Sequence, residues 1–223
     1  MTRFRKIIRT VAICLGTALL SGTTASARSE YWQQRVSLFE LLPVSEDDIV
    51  FLGNSITDGG EFAELLNNPA IKNRGINGDV IAGVRERLPQ VTDGSPRKIF
   101  LLIGINDISH NLPADELASQ YETLVDEIVR KAPASSLYIQ SVMPINNDFG
   151  RYRNLKDKEN VIVELNKRLQ EIAVAHNSVF IDLTETLAGP DGKLRKDFTN
   201  DGLHLTGPGY KAWTEIIRQY IEQ

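Results

Sequence analysis

Cysteine is nearly absent from this chain, since Cys14 is the only one among 223 residues. A single cysteine cannot form a disulfide within the chain, so a fold held together by disulfides is excluded. Histidine is also scarce, and the three histidines, at positions 110, 176 and 204, do not lie at the spacing of metal ligands. A metal-dependent site is therefore disfavoured, and we expect a protein that works without a metal or other cofactor.

Long apolar runs are absent as well. Beyond the first 27 residues no run is long enough to cross a membrane, and the apolar run at residues 11–20 is too short to do so. Basic residues precede that run, and residues 25–27 (Ala-Ser-Ala) form a small-x-small peptidase site. This pattern is typical of an export signal, so we expect residues 1–27 to be a cleaved signal peptide. The mature protein would begin at Arg28 and be exported, either periplasmic or secreted.

The chain also has no excess of basic residues, because it contains 25 Lys and Arg but 29 Asp and Glu. Four of the basic residues lie in the expected signal, which leaves 21 against 29 and a net charge of about −8. So acidic a protein is a poor candidate for nucleic-acid binding, which depends on neutralising phosphates. The remaining length suits one domain. We expect residues 28–47 to be a lead-in that packs on a main domain of residues 48–223.

Short apolar runs alternate with helical patterns along that domain. Five runs predict strands at residues 48–54, 71–76, 98–104, 137–143 and 178–183. Apolar residues recur at helical spacing between and after them, most clearly over residues 117–128, over residues 162–173 and after Pro208. Strands that alternate with helices predict a doubly wound α/β fold with a mostly parallel sheet and helices on both faces.

Residues 49–57 combine a buried strand with a sharp turn that carries Ser55. In open α/β sheets, functional sites form at the carboxyl ends of the strands. The backbone N–H groups of such a turn can stabilise an oxyanion, which suits a nucleophilic serine. Serine is also common at such turns as a helix cap, so the turn alone leaves both interpretations open.

A nucleophilic serine needs a base, and that base needs a group to orient it. His204 is the best candidate because Asp201 lies three residues before it. An Asp-x-x-His turn can hold the imidazole Nδ1 and leave Nε2 free for a serine, although the same spacing also occurs in structural turns. His110 is expected near the surface on a strand-end loop, and His176 is expected to cap a helix.

Two more turns follow predicted strands and offer hydrogen-bond donors. Gly78 ends the segment after the second strand, and its N–H could point at an oxyanion. Asn106 follows the third strand and could donate a side-chain N–H to the same place. Glycine and asparagine are also common in ordinary turns, so neither residue is diagnostic alone.

A long loop at residues 144–154 follows the fourth strand, so we expect it at the same edge of the sheet as Ser55. Its polar and aromatic residues suit substrate contact. A solvated loop without a role has equal support from the sequence.

Together, the four turns resemble the SGNH/GDSL hydrolase superfamily. Residues 53–56 (Gly-Asn-Ser-Ile) resemble its nucleophile block, and residues 77–79 (Asn-Gly-Asp) its glycine block. Residues 104–107 (Gly-Ile-Asn-Asp) resemble the Gly-x-Asn-Asp block, and residues 201–205 (Asp-Gly-Leu-His-Leu) the Asp-x-x-His block. The resemblance spans roughly residues 48–220, and the set of four is specific.

The resemblance implies a flavodoxin-like sandwich whose five-stranded parallel sheet has the order 2-1-3-4-5. It also implies metal-free ester hydrolysis in which Ser55 is the nucleophile, His204 the base and Asp201 the orienting acid. The N–H groups of Ser55 and Gly78 and the side chain of Asn106 would form the oxyanion hole.

One departure concerns Asn54, where the family commonly has aspartate; this position is not the triad acid, so activity is still expected. The Gly-Asn-Ser-Ile-Thr form and the short chain are similar to acetylhydrolases of the platelet-activating-factor type and to carbohydrate O-acetylesterases.

The sequence thus predicts an exported serine esterase that removes a short acyl group, acetyl above all, from a carbohydrate such as sialic acid or a polysaccharide. A lysophospholipase or thioesterase acting on longer acyl chains is the alternative within the same class. A carbohydrate-binding module that kept the fold without turnover is the alternative from another class.

Overall fold

The computed structural model describes residues 28–222 and contains one five-stranded parallel sheet. The strands are β1 Ile49–Gly53, β2 Ile71–Gly75, β3 Lys98–Leu102, β4 Ser136–Gln140 and β5 Val179–Ile181. Their order across the sheet is β2-β1-β3-β4-β5, and every neighbouring pair is parallel. Both the predicted fold class and the predicted strand order are confirmed. The expected signal peptide, residues 1–27, lies outside the described residues.

Helices connect the strands and cover both faces of the sheet. They are α1 Glu30–Glu40, α2 Ser55–Asp58, α3 Phe62–Leu65, α4 Ile81–Glu86, α5 Pro89–Thr92, α6 Ile105–Ser109, α7 Ala114–Lys131, α8 Glu159–Ala175, α9 Thr184–Leu187 and α10 Gly207–Glu222. Each predicted strand is present but ends one to three residues earlier than predicted. After β1, β2 and β3 the chain leaves the sheet to form turns of the candidate site. Within the described part of the chain, no helix is both long and apolar enough to cross a membrane.

The central strand β1 is buried along its whole length, as expected for a strand covered on both faces. The Phe51 ring stacks on Phe62 from α3, with centroids 4.2 Å apart, and on Phe100 from β3 at 5.0 Å. Trp213 from α10 meets the Phe51 ring edge-on and is itself fully buried. These contacts hold the strand that leads into Ser55 firmly in the core.

Parallel pairing brings the ends of three strands to one level. Gly53 at the end of β1 is paired with Gly75 of β2 and with Leu102 of β3. The turns that follow these three strands therefore leave the sheet at the same edge, which is where open α/β sheets form their sites.

The lead-in segment forms α1, which lies against the domain through one side. Trp32 and Phe39 are buried, and the Trp32 indole N–H donates to Asp79 Oδ1 at 3.1 Å. Three apolar residues of the lead-in are 42%, 43% and 78% exposed: Tyr31, Leu38 and Leu41. A helix that packs through one side leaves residues such as Leu38 exposed.

A buried ion pair ties the turn after β2 to the end of β1. Arg87 Nε donates to Asp79 Oδ2 at 2.8 Å, and both side chains are fully buried. Arg87 Nη2 also donates to the Gly53 carbonyl at 3.0 Å. Asp79, part of the motif at residues 77–79, is therefore a structural residue that braces the edge of the sheet.

Asp107 in α6 is a second buried carboxylate, but one with a different environment. It is 3% exposed, and its two oxygens accept the Ile81 N–H at 3.2 and 3.3 Å. Burial raises the pKa of Asp107 from 3.8 to about 7, and the nearby Asp79 charge acts in the same direction. Hydrogen bonds from the backbone N–H groups of Ile81 and Asp107 itself oppose this shift without cancelling it.

The raised pKa makes the contribution of Asp107 to stability depend on pH. Between about pH 4 and pH 7 the folded protein retains a proton that the unfolded chain has lost, so this contribution falls as pH rises through that window. Asp107→Asn keeps an acceptor for Ile81 and carries no charge. We expect this variant to melt at a higher temperature than wild type at pH 8, with a smaller difference at pH 5. Thermal melts of both proteins at each pH measure this, and a difference that does not change with pH would contradict it.

Candidate active site

Ser55 is the first residue of α2 and directly follows the buried end of β1. Asn54 before it is fully buried, and its side-chain oxygen accepts the Ile56 N–H at 3.0 Å. This is a helix N-cap, a position at which asparagine and aspartate perform equally well. The cap gives Asn54 a physical role at the one position where the sequence departs from the motif that it resembles.

His204 lies within hydrogen-bond distance of Ser55, although 149 residues separate the two along the chain. The distance from His204 Nε2 to Ser55 Oγ is 2.9 Å, and the distance from His204 Nδ1 to Asp201 Oδ2 is 2.8 Å. The structure thus brings the three predicted triad residues into one chain of hydrogen bonds. Such an arrangement lets an imidazole accept the serine proton while the carboxylate stabilises the resulting cation.

The other two histidines lie elsewhere. His176 follows the end of α8, where its N–H donates to the Ile172 carbonyl and its Nδ1 lies 3.6 Å from Asp126. His110 follows the end of α6. Both positions agree with the sequence-based preference for His204.

The Asp201 carboxylate is held by several donors. Its Oδ1 accepts the N–H groups of Leu203 at 2.9 Å and His204 at 2.8 Å. Burial alone would raise its pKa, but hydrogen bonds from His204, from these backbone groups and from Tyr152 outweigh that effect. They hold the pKa of Asp201 well below its usual range, so the residue is ionised at neutral pH.

Gly202 makes the Asp201–His204 turn possible. Its φ of 89° lies in the region that favours glycine, and a Cβ there would collide with the Asn146 carbonyl. The Asn146 N–H donates to the Gly202 carbonyl at 2.8 Å. The turn is therefore packed directly against the start of the 144–154 loop, which lies at the edge of the sheet that carries Ser55.

The three predicted oxyanion donors follow the ends of β1, β2 and β3. Gly78 has a φ of 76°, and within the described residues neither its N–H nor the Ser55 N–H has a hydrogen-bond partner. Asn106 Nδ2 donates one hydrogen to the Asp79 carbonyl at 2.8 Å. An amide nitrogen carries two hydrogens, so this contact orients the Asn106 side chain and leaves the second hydrogen for another acceptor.

A pocket of about 450 Å³ opens over the serine and is lined by Tyr31, Ser55, Asp58, Gly59, Asn77 and His204. Its wall is polar, because Asp58 Oδ2 accepts the Tyr31 hydroxyl at 2.7 Å and the Asn77 N–H at 3.2 Å. Arg35 lies 3.4 Å from the other oxygen of the same carboxylate.

Sequence reasoning missed three residues of this site. Tyr31 lies in the lead-in segment and Asp58 at the end of α2, and neither belongs to one of the four sequence motifs. Tyr152 donates its hydroxyl hydrogen to Asp201 Oδ2 at 2.8 Å. The composition of the 144–154 loop indicated substrate contact, yet nothing in it singled out Tyr152 as a neighbour of the triad.

A second cavity, of about 480 Å³, lies between α8 and the segments around β5. Ile145, Ile162 and Phe180 contribute apolar wall, whereas neither Ser55 nor His204 lines it. In the part of the chain that the structure describes, no three His, Cys, Asp or Glu residues are grouped so that they could hold a metal ion.

Comparison with known proteins agrees with this fold. The model of the GDSL-like lipase/acylhydrolase family matches residues 51–212. The human platelet-activating factor acetylhydrolase IB subunit alpha2 is 27% identical over 188 residues, which cover 80% of this chain and 79% of that protein.

Two solved structures are similar to this chain over most of their length. A Streptococcus pneumonia protein described as a platelet activating factor is 30% identical with a TM-score of 0.78, covering 86% of this chain and 92% of that one. An acylhydrolase from Bacteroides fragilis is 25% identical with a TM-score of 0.74, covering 87% and 98%. Since the family match takes in most of the sheet and all four site turns, the chain belongs to the GDSL-like lipase/acylhydrolase family, within the SGNH/GDSL superfamily of ester hydrolases.

Proposed function

We propose that this protein is an exported serine esterase that releases a short acyl group, acetyl above all, from a carbohydrate or a similar alcohol. The observation that carries the proposal is the 2.9 Å hydrogen bond between Ser55 Oγ and His204 Nε2, backed by Asp201. The pattern of residues 1–27 supports export.

In the proposed mechanism, Ser55 attacks the ester carbonyl while His204 takes the hydroxyl proton. Asp201 stabilises the imidazolium that forms. The N–H groups of Ser55 and Gly78 and the second N–H of Asn106 stabilise the negative charge on the carbonyl oxygen. His204 then protonates the leaving alcohol, and a water activated by the same imidazole releases the acid from Ser55.

The polar wall of the pocket supports a short acyl group. A long alkyl chain there would have to desolvate the Asp58 carboxylate and the Tyr31 hydroxyl, which is costly without replacement hydrogen bonds. The same groups suit the hydroxyls of a sugar. The word acetylhydrolase in the name of the human relative supports the same acyl group.

The alternatives have less support. A lysophospholipase or thioesterase needs an apolar groove that reaches the serine, and the apolar cavity beside β5 is not lined by Ser55 or His204. A binding module without turnover has no need for a serine that is hydrogen-bonded to an imidazole.

The role of Ser55 can be tested by Ser55→Ala and His204→Ala. Because the two groups act as one unit, each loss is expected to lower kcat by about 10⁶-fold, and the double variant by little more. Hydrolysis of p-nitrophenyl acetate measures turnover, and a thermal melt shows that the fold persists. Ser119→Ala on the exposed side of α7 is the matched control and is expected to behave as wild type. More than a few per cent of activity left in Ser55→Ala would mean that Ser55 is not the nucleophile.

Asn106→Ala separates the oxyanion donor from the triad. Its amide acts mainly once negative charge has developed, so we expect kcat to fall by roughly 10²–10³ while KM stays near normal. The contact with the Asp79 carbonyl offers a competing explanation, in which Asn106 only holds its turn. That explanation predicts a lower melting temperature with an unaltered kcat, so kinetics and a melt on one preparation distinguish the two.

The polar pocket predicts a preference among acyl chains. Across p-nitrophenyl acetate, butyrate and octanoate, kcat/KM is expected to fall by about tenfold or more, since longer chains meet the Asp58 wall. Acetylated sugars are then screened for release of acetate. An enzyme that prefers octanoate would contradict the short-acyl proposal and favour the lysophospholipase alternative.

A further inference from the structure

Tyr152, on the loop after β4, contacts the triad directly. Its hydroxyl lies 2.8 Å from Asp201 Oδ2 and 3.0 Å from His204 Nδ1, and its ring meets the imidazole edge-on with centroids 5.7 Å apart. A phenol at neutral pH carries a hydrogen, so it donates to the carboxylate. Asp201 Oδ2 therefore receives two hydrogen bonds of equal length, one from His204 and one from Tyr152.

We infer that Tyr152 is a positioning residue of this active site. Tyr152 shares the Asp201 carboxylate with His204 and thereby tunes how basic the imidazole is. The inference deepens the proposed function and rests on it for its catalytic consequence, though not for the hydrogen bonds themselves. Tyr152 is 37% exposed, whereas the Asp201 side chain is 16% exposed, so the tyrosine lies on the solvent side of the pair.

The loop holds Tyr152 in this place from both sides. At its start, Asn146 Nδ2 donates to the Leu194 carbonyl at 2.8 Å, and Lys193 pairs with Asp148 at 2.6 Å. After Tyr152 the chain makes a 3-10 turn, in which the Leu155 N–H donates to the Tyr152 carbonyl at 2.9 Å. Leu155 is buried. An anchor on each side leaves the tyrosine little freedom to swing away from Asp201.

The direction of the effect follows from charge. Each donor withdraws negative charge from a carboxylate, so the Tyr152 hydroxyl weakens the attraction between Asp201 and a protonated His204. If the hydroxyl oxygen accepted a hydrogen bond from His204 Nδ1–H, it would stabilise the protonated imidazole and act in the opposite direction. That contact is longer, at 3.0 Å, and the Nδ1 hydrogen already donates to Asp201 at 2.8 Å, so this contribution is the weaker one. Removing the hydroxyl should therefore make the imidazole more basic.

Tyr152→Phe removes none of the other polar groups around His204. They are Ser55 on its Nε2 side, Asp58 and Tyr31 across the pocket, the Thr199 hydroxyl and backbone N–H groups on Asp201 Oδ1, and Arg151 beside Tyr152. A comparison of wild type with Tyr152→Phe therefore isolates one hydroxyl. The ring remains in place to cover the carboxylate.

The experiment measures the pKa of His204 in wild type and Tyr152→Phe by NMR titration of the imidazole, and kcat/KM against pH for p-nitrophenyl acetate. We expect the pKa of His204 to be roughly half a unit higher in Tyr152→Phe than in wild type in both measurements. At pH values below that pKa, kcat/KM of the variant should then be about threefold lower, with KM unchanged. Tyr220→Phe on α10 is the matched control. Its ring packs on Tyr138, away from the site, and no shift is expected.

Tyr152→Ala separates the hydroxyl from the ring. If the ring only covers Asp201, Tyr152→Phe will keep the wild-type pKa and Tyr152→Ala alone will change it, which overturns the inference. A lowered pKa in Tyr152→Phe overturns it as well. Because the NMR titration needs no turnover, it decides the matter even if Ser55→Ala retains activity and the proposed function fails.

Discussion

The candidate site depends on a constraint in the sheet: three parallel strands must end at the same level. Gly53 lies between Gly75 and Leu102 at that level, and a Cβ on Gly53 would collide with the Leu102 carbonyl and with Thr57. The absence of a side chain lets the turn that carries Ser55 lie directly against β3. The carbonyl of the same glycine accepts from Arg87, which braces the turn from the other side. Hydrogen-bond register and close backbone approach together place the serine.

Three aspartates around this edge show how one side chain takes on different properties in different surroundings. Asp79 is fully buried against the guanidinium of Arg87 and serves the fold. Asp107 is buried with backbone donors alone, so its pKa rises to about 7. Asp201 receives donors from His204, Tyr152 and its own turn, and these keep it ionised despite burial. Burial outweighs the neighbouring donors at Asp79 and Asp107 and raises the pKa of both carboxyls, whereas at Asp201 the donors outweigh burial and lower the pKa.

Local pattern accounts for most of the fold. Apolar runs and helical spacing identified all five strands and the three longest helices, α7, α8 and α10, because these signals depend on which side of an element is buried. Strand order is a different matter. Alternation predicted a mostly parallel sheet, whereas the order 2-1-3-4-5 came from the resemblance carried by four short motifs. Those motifs also led to Ser55, Gly78, Asn106, Asp201 and His204. The structure brings Ser55, Asp201 and His204 into contact, while the catalytic roles of all five stay predictions.

By itself, the sequence determined the elements, the turns at their ends and the polar residues that those turns carry, since each is set by residues close together in the chain. Only the tertiary structure decided that Tyr31 lines the pocket over Ser55 and that Tyr152 contacts Asp201 and His204. Tyr31 reaches the pocket because Trp32 and Phe39 dock α1 beside the turn after β2. Tyr152 reaches Asp201 because Gly202 lets the 144–154 loop pack against the histidine turn. Contacts of this kind depend on how segments that are distant in the chain pack together, and no periodicity or spacing within one segment encodes them.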